Sequence, residues 1–203
     1  MKKLVIVLAA LALFVGAASA DCPELIEVDC GGGSAWFGLR HDGANIGQGQ
    51  SFFLECNSLL LSVETIVRNN GLPNSGVPPM VAGDPIYCVI ADLEWSVYAS
   101  SVAAMPFDVG ESWVSFDFNG DGIPLDAGTY LWLLYTDVPR QAAIIFCPGG
   151  DSYPDGERYS SLDGLNGPWY PNSGTIDDPF RVWLMPITPV EDETWGSVKA
   201  MFK

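Results

Sequence analysis

The residue types best placed to do chemistry in this chain are carboxylates and aromatic rings that share one Gly- and Pro-rich stretch. Asp151, Asp155 and Glu157 fall in that stretch, and Asp177 and Asp178 stand at its end. Oxygen donors drawn from two segments suit Ca²⁺, a hard cation bound by carboxylate and carbonyl oxygens. Asp151, Asp155, Asp177 and Asp178 are therefore the expected metal ligands, provided the stretch folds back on the strand that follows. A structural Ca²⁺ there would tie down backbone that lacks regular hydrogen bonds. The competing expectation is a solvated acidic loop. Asp117-Phe-Asn-Gly-Asp-Gly122 begins like an EF-hand loop. Its twelfth position is Gly128, where a bidentate Glu is required, so a turn is the better interpretation. Asn119-Gly120 and Asp121-Gly122 are dipeptides suited to positive φ.

Tyr153, Tyr159, Trp169 and Tyr170 lie in the same stretch. Exposed aromatic planes stack on the apolar faces of sugar rings, while neighbouring polar groups bond the hydroxyls. Trp169, stiffened by Pro168 and Pro171, is the leading ligand residue, with Tyr170, Tyr153, Tyr159 and Arg181 beside it. Alternatively, the rings form a small core that holds the loop down. No catalytic residue is expected. His41 is the only histidine, and no Gly-x-Ser-x-Gly elbow is present. Glycoside hydrolysis needs only two carboxylates at a set separation. Among 25 acids nothing marks a particular pair, so a small hydrolase ranks last.

The first twenty residues have the form of an export signal. Lys2 and Lys3 precede the apolar run Leu4–Val15, and Ala18-Ser-Ala20 is a small-residue cleavage site. That run is short for a transmembrane helix, and its style is bacterial. Cleavage after Ala20 leaves 7 basic and 25 acidic residues, a net charge of 7 − 25 = −18. Such a chain repels nucleic acid and anionic membrane surfaces. Cys22, Cys30, Cys56, Cys88 and Cys147 are all exported under this scheme, so disulfides are expected. Cys22 and Cys30 flank a short segment and can close it locally. At most two of Cys56, Cys88 and Cys147 then pair, leaving a buried thiol or an intermolecular partner.

The elements that must position these groups are strands. Trp113 to Tyr135 reads as two long strands joined by turns, the spine of the fold. Val114, Phe116 and Phe118 share one face of the first strand, and Thr129–Tyr135 is apolar on both faces, as in a central strand. Further strands are expected at Ala35–Arg40, Gln50–Cys56, Leu59–Arg68, Pro85–Leu93, Glu94–Met105, Ala142–Cys147 and Pro179–Pro186. In Leu59–Arg68 the expected shared face is Leu59, Leu61, Val63, Thr65 and Val67. Pro148–Thr175 is expected to be irregular. Short strands without a convincing helix indicate an all-β, antiparallel, jelly-roll-like sandwich in a single domain over residues 21–186. Residues 187–193 form a Pro- and acid-rich linker. In the tail 194–203, Trp195, Val198, Met201 and Phe202 recur at helical spacing, for docking on the domain or on a partner.

Several short motifs add a resemblance. They are Gln50-Ser-Phe52 with Cys56, Leu59–Val63, Trp113–Phe116, Leu125–Tyr130, Asp151–Gly156 followed by Tyr159, and Asp178–Trp183. In this order the chain resembles secreted bacterial β-sandwich accessory domains of jelly-roll, carbohydrate-binding-module-like type. The tail resembles short Trp-Gly-x-x-Lys endings of exported proteins. The resemblance implies a non-catalytic binding module for carbohydrate or another cell-surface component. The alternative is a structural or adhesive envelope protein assembling through its tail or its odd cysteine.

Overall fold

A computed structural model describes residues 22–30, 35–41, 44–69, 77–108, 110–147, 152–172 and 176–187. The expected signal, the tail, nearly all of the linker and Asp151 lie outside these residues. The strands in chain order are β1 (Leu25–Val28), β2 (Ala35–Gly38), β3 (Arg40–His41), β4 (Ala44–Asn45), β5 (Gly47–Leu54), β6 (Ser58–Arg68), β7 (Pro85–Asp92) and β8 (Val97–Ala104). They continue with β9 (Glu111–Asp117), β10 (Ile123–Leu125), β11 (Gly128–Tyr135), β12 (Ala143–Phe146), β13 (Arg158–Ser161), β14 (Trp169–Asn172) and β15 (Phe180–Pro186). They form an antiparallel β-sandwich in one domain. One sheet has seven strands, with β6 bonded to β15 and β12 on one side and to β9 and β10 on the other. The second sheet has six, ordered β14-β13-β5-β11-β7-β8, and β3 and β4 make a small ribbon. Among the described residues no helix is long and apolar enough to cross a membrane.

Alternation places the core between the sheets. Val114, Phe116 and Phe118 are buried, as are Phe180, Val182 and Leu184, while Arg181 and Trp183 point outward. Facing them are Phe52, Leu54, Cys88, Ile90, Trp132 and Leu134 of the second sheet, all at most 1% exposed. β11 is central, with β5 and β7 on its flanks and both faces covered, as its apolar sequence requires.

The two strands expected over Trp113–Tyr135 form but do not pair with each other. β9 joins β6 in one sheet and β11 joins β5 and β7 in the other, so the turns between them carry the chain across the sandwich. The expected shared face of β6 also needs correction. Opposite Trp183 and Leu184 the register skips Leu61, a bulge that reverses the phase. Leu60 thereby enters the core with Val63 and Val67, and Leu59 and Leu61 stay only partly buried. The stretch expected to be irregular contains β13, a 3₁₀ turn (Gly164–Asn166) and β14.

The cysteines pair across the fold, not locally. Cys22 bonds Cys56 and Cys30 bonds Cys147, so the expected short Cys22–Cys30 loop is overturned. Between them β1 pairs with β15, joining the first strand to the last. Cys88 is a free thiol in the core, and burial pushes its pKa far up. It is closed to an intermolecular partner in the folded protein.

Candidate functional site

The site grows from the two faces of β5, Gly47-Gln-Gly-Gln-Ser-Phe-Phe-Leu54. Alternation sends Gln48 and Gln50 inward with Phe52 and Leu54, and sends Gly47, Gly49, Ser51 and Phe53 outward. On the inner side the two glutamines meet a fully buried ion pair. Arg158, opposite Gln50 on β13, is 2% exposed. Its Nε donates to Asp178 Oδ1 at 3.0 Å and Oδ2 at 3.3 Å, and its Nη2 donates to Gln48 Oε1. Gln50 Nε2 donates to Asp177 Oδ1, and Gln50 Oε1 accepts from the Asp178 amide at 2.8 Å. Asp177 Oδ2 accepts from the amides of Ser152 at 2.6 Å and Tyr153 at 2.8 Å. A buried charge pair is tolerable only when its remaining valences are filled in this way. Burial pushes the Asp178 carboxyl up to about 7, against the pull of Arg158.

This knot pins both ends of the long stretch, and it shows where the expected calcium ligands lie. The oxygens of Asp177 and Asp178 are engaged by protein donors. Asp155 is exposed and apart from them, at the rim of a cleft on the opposite face of β5. Among the described residues no three carboxylate, His or Cys side chains gather closely enough to hold a metal ion.

On the outer face two of the expected aromatic residues collect, Trp169 and Tyr159, with one addition. Trp169 is 7% exposed and packs with Ala91, Leu131, Leu133 and Tyr159. Its six-membered ring lies directly on Gly47, where any Cβ would overlap it. Trp169 is thus the floor of the cluster, which corrects its expected role as the exposed plane. Tyr170 is exposed on edge strand β14. Tyr153 sits between the sheets' edge and the loop, its hydroxyl accepting from the Phe53 amide at 3.0 Å and its ring edge-on to Phe180 at 5.5 Å. Arg181 does not join these rings. It lies on β15 in the other sheet, paired with Glu27 and Glu64 and stacked over Trp113 at 4.2 Å.

The addition is Trp95, which the alternation pattern placed inside a strand. It occupies the β7–β8 turn at φ 70°, a conformation uncommon outside glycine. Asp92 holds the turn. Its Oδ1 accepts from the amides of Glu94 at 2.8 Å and Ser96 at 2.9 Å, and the Ser96 bond leads in lowering the carboxyl pKa. The turn delivers the Trp95 ring onto Trp169 at 5.9 Å, near parallel, and edge-on to Tyr159 at 6.0 Å. Trp95 stays 39% exposed and Leu93 48%. The Asp-x-x-x-Ser spacing of the turn was the one sequence signal for it.

Beside this cluster opens a cleft of about 260 Å³ lined by Ser51, Leu93, Thr129, Pro154, Asp155, Gly156, Glu157 and Tyr159. Ser51 Oγ accepts from the Glu157 amide at 2.7 Å and fixes that wall. Burial and the adjacent Glu157 carboxylate push the Tyr159 hydroxyl pKa up. The cleft offers an apolar side (Leu93, Pro154, Tyr159) and an acceptor-rich side (Asp155, Glu157, Thr129). Such a surface is complementary in shape and polarity to a group with one apolar face and several donors. Comparison with known proteins finds no matching family model and no matching curated protein.

Proposed function

We propose that this protein is a non-catalytic, extracellular binding module whose Tyr159 cleft takes a neutral or amino sugar of a glycan or other cell-surface component. The observation that carries this is the strained Trp95 turn. Backbone at φ 70° costs energy and persists where surrounding structure enforces it, a pattern common at binding sites. Here it sets an exposed ring against Tyr159, which lines the cleft together with the carboxylates of Asp155 and Glu157. Those carboxylates disfavour uronic, sialic and sulfated sugars by like charge. The volume, about 260 Å³, lies just under the range of drug-sized sites, roughly 300–1,000 Å³, and suits a single ring. Two cross-fold disulfides accord with an oxidising compartment. A loop-bound structural Ca²⁺ is part of the proposal only as far as Asp155 and Asp151 supply oxygens.

A glycan array, run in calcium and again in EDTA, tests this. Selective binding to neutral or amino sugars is expected, lost in Tyr159→Ala and weakened in Trp95→Ala while both variants keep their circular dichroism spectrum. Equal binding in calcium and EDTA removes the cation from the proposal. A blank array with folded protein, or binding that survives Tyr159→Ala, overturns the sugar site.

A further inference from the structure

We propose that the outer edge of β8 is a docking edge that takes up the segment Thr194–Lys203 as an added strand. The edges of the fold differ in how they are protected. β14 is four residues long and carries Pro171, and β10 is three residues long and carries Pro124. β9 carries Glu111 and Asp117, β2 is four residues long, and β1 carries Glu27 between two disulfides. Short length, proline and charge are the devices that keep sheet edges from pairing. β8 has none of these three, and its one irregularity is a bulge at its first residues, where Ile90 faces Ala99 and Ala91 faces Val97. It runs eight residues, Val97-Tyr-Ala-Ser-Ser-Val-Ala-Ala104, without a charge or proline, and Val97, Tyr98 and Val102 are 54%, 48% and 59% exposed. Its backbone ladder is to β7 alone. Ser101 Oγ donates to the Asp117 carbonyl at 2.7 Å from the core face, and among the described residues no strand other than β7 bonds the β8 backbone.

Charge and chain path choose the occupant. Residues 69–139, which include β7, β8 and β9, contain nine Asp or Glu and no Lys or Arg, and Arg140 just beyond them is paired with Asp84, so the surroundings of β8 carry an excess of acid. Two β8 edges pairing with each other would bring two such regions together, which is repulsive. Thr194–Lys203 contains Lys199 and Lys203 and no acid. The described chain leaves the fold at the correct end. Ile187 donates to Asn57 O at 2.9 Å, Asn57 Oδ1 accepts from the Ala127 amide at 2.9 Å, and Tyr130 next to this corner stacks edge-on with Tyr98 at 5.5 Å. Residues 188–193 then span up to about 20 Å at roughly 3.3–3.6 Å each. A strand entering from that end runs parallel to β8. It alternates Gly196, Val198, Ala200 and Phe202 against Ser197, Lys199, Met201 and Lys203, a pattern a pleated edge accepts as well as a helix does.

Hydrogen exchange at the β8 amides tests this. In the full chain the outward amides of Val97–Ala104 are expected to exchange slowly. They should speed up by about tenfold or more in a chain ending at Ile187 and in Val198→Pro, which removes a ladder donor. Adding the Thr194–Lys203 peptide to the shortened chain should restore protection, and a Lys199→Glu, Lys203→Glu peptide should restore less, with the difference shrinking in high salt. Unchanged exchange in the shortened chain overturns the proposal. So does protection that survives shortening and rises with protein concentration, which would mean that a second copy covers the edge.

Discussion

Replacing Gly47 by alanine tests how the outer face of the six-stranded sheet is built. A Cβ at this position overlaps Trp169 Cη2 outright and stands 2.7 Å from Cζ2 and 2.8 Å from Cζ3. Ordinary carbon contact starts near 3.4 Å, so Cζ2 alone lacks 0.7 Å and the overlapping Cη2 requires a larger retreat of the ring. Trp169 is held in place from the other side by Trp95 and Tyr159, so it cannot move alone. Overpacking of this kind costs about 1–3 kcal/mol, with an upper limit near the 3–5 kcal/mol of deleting a core tryptophan. In a Trp169→Ala background the same alanine meets empty space. There Gly47→Ala should be neutral or stabilise by up to about 0.5 kcal/mol, because it removes a glycine from a strand interior. Urea unfolding of the four chains in this cycle gives the coupling. A coupling above about 1 kcal/mol is expected. An effect of Gly47→Ala within about 0.5 kcal/mol, or equal in both backgrounds, refutes the claim that glycine is there to seat the ring.

Other outcomes follow from the buried knot and the disulfides. Arg158→Met leaves the buried Asp178 carboxyl without its partner and should cost about 3–5 kcal/mol in urea unfolding, whereas Arg158→Met with Asp178→Leu should cost less than either single change. Burial raises the Asp178 carboxyl from 3.8 to about 7, so between these values the folded state keeps a proton that the unfolded state has released. This group's contribution is therefore full below pH 3.8 and is lost as pH rises toward 7. The stability difference between wild type and Asp178→Asn, measured across that range, should show this slope. Cys30 and Cys147 are 117 residues apart, and on the chain-entropy view replacing both by alanine should cost about 4–5 kcal/mol, read as a lower thermal midpoint. Cys88→Ala should leave oligomeric state unchanged under oxidising conditions, as gel filtration would show, because that thiol is buried.

Much of the architecture is written in two-residue alternation. Val114/Phe116/Phe118, Phe180/Val182/Leu184 and the doubly apolar Thr129–Tyr135 identify core strands correctly because burial on one or both faces leaves a direct compositional mark. Partner choice leaves no such mark. Nothing in Trp113–Tyr135 distinguishes a hairpin from a crossing between sheets, and the Leu61 bulge is invisible where Leu59-Leu-Leu61 offers a leucine for either phase. Carboxylate count misled at Asp177 and Asp178, because a carboxylate that accepts from Gln50, Arg158 and two amides looks, in sequence, like one that awaits a cation. Trp169 is expected as an exposed ligand plane but lies buried on Gly47, a residue far away in the chain whose missing side chain leaves room for the ring. Trp95 was missed because its conformation is set by the Asp92 turn and not by its own preferences.

The pairing of β1 with β15 sets a schedule on folding. Leu25 meets Trp183 and Val28 meets Phe180, so the first strand has no ladder partner until the last strand has been made. Cys30 likewise waits for Cys147. A chain emerging amino end first can assemble β5, β7, β8 and β11 early, yet its opening segment and two of its four bridging cysteines must stay unpaired until nearly the whole domain is available. Closure of such sequence-distant contacts is intrinsically slow. The interval exposes reduced thiols and an unsealed sheet edge to wrong partners, so a disulfide isomerase or a holding chaperone should raise the yield of native protein more than it raises the stability of the finished fold.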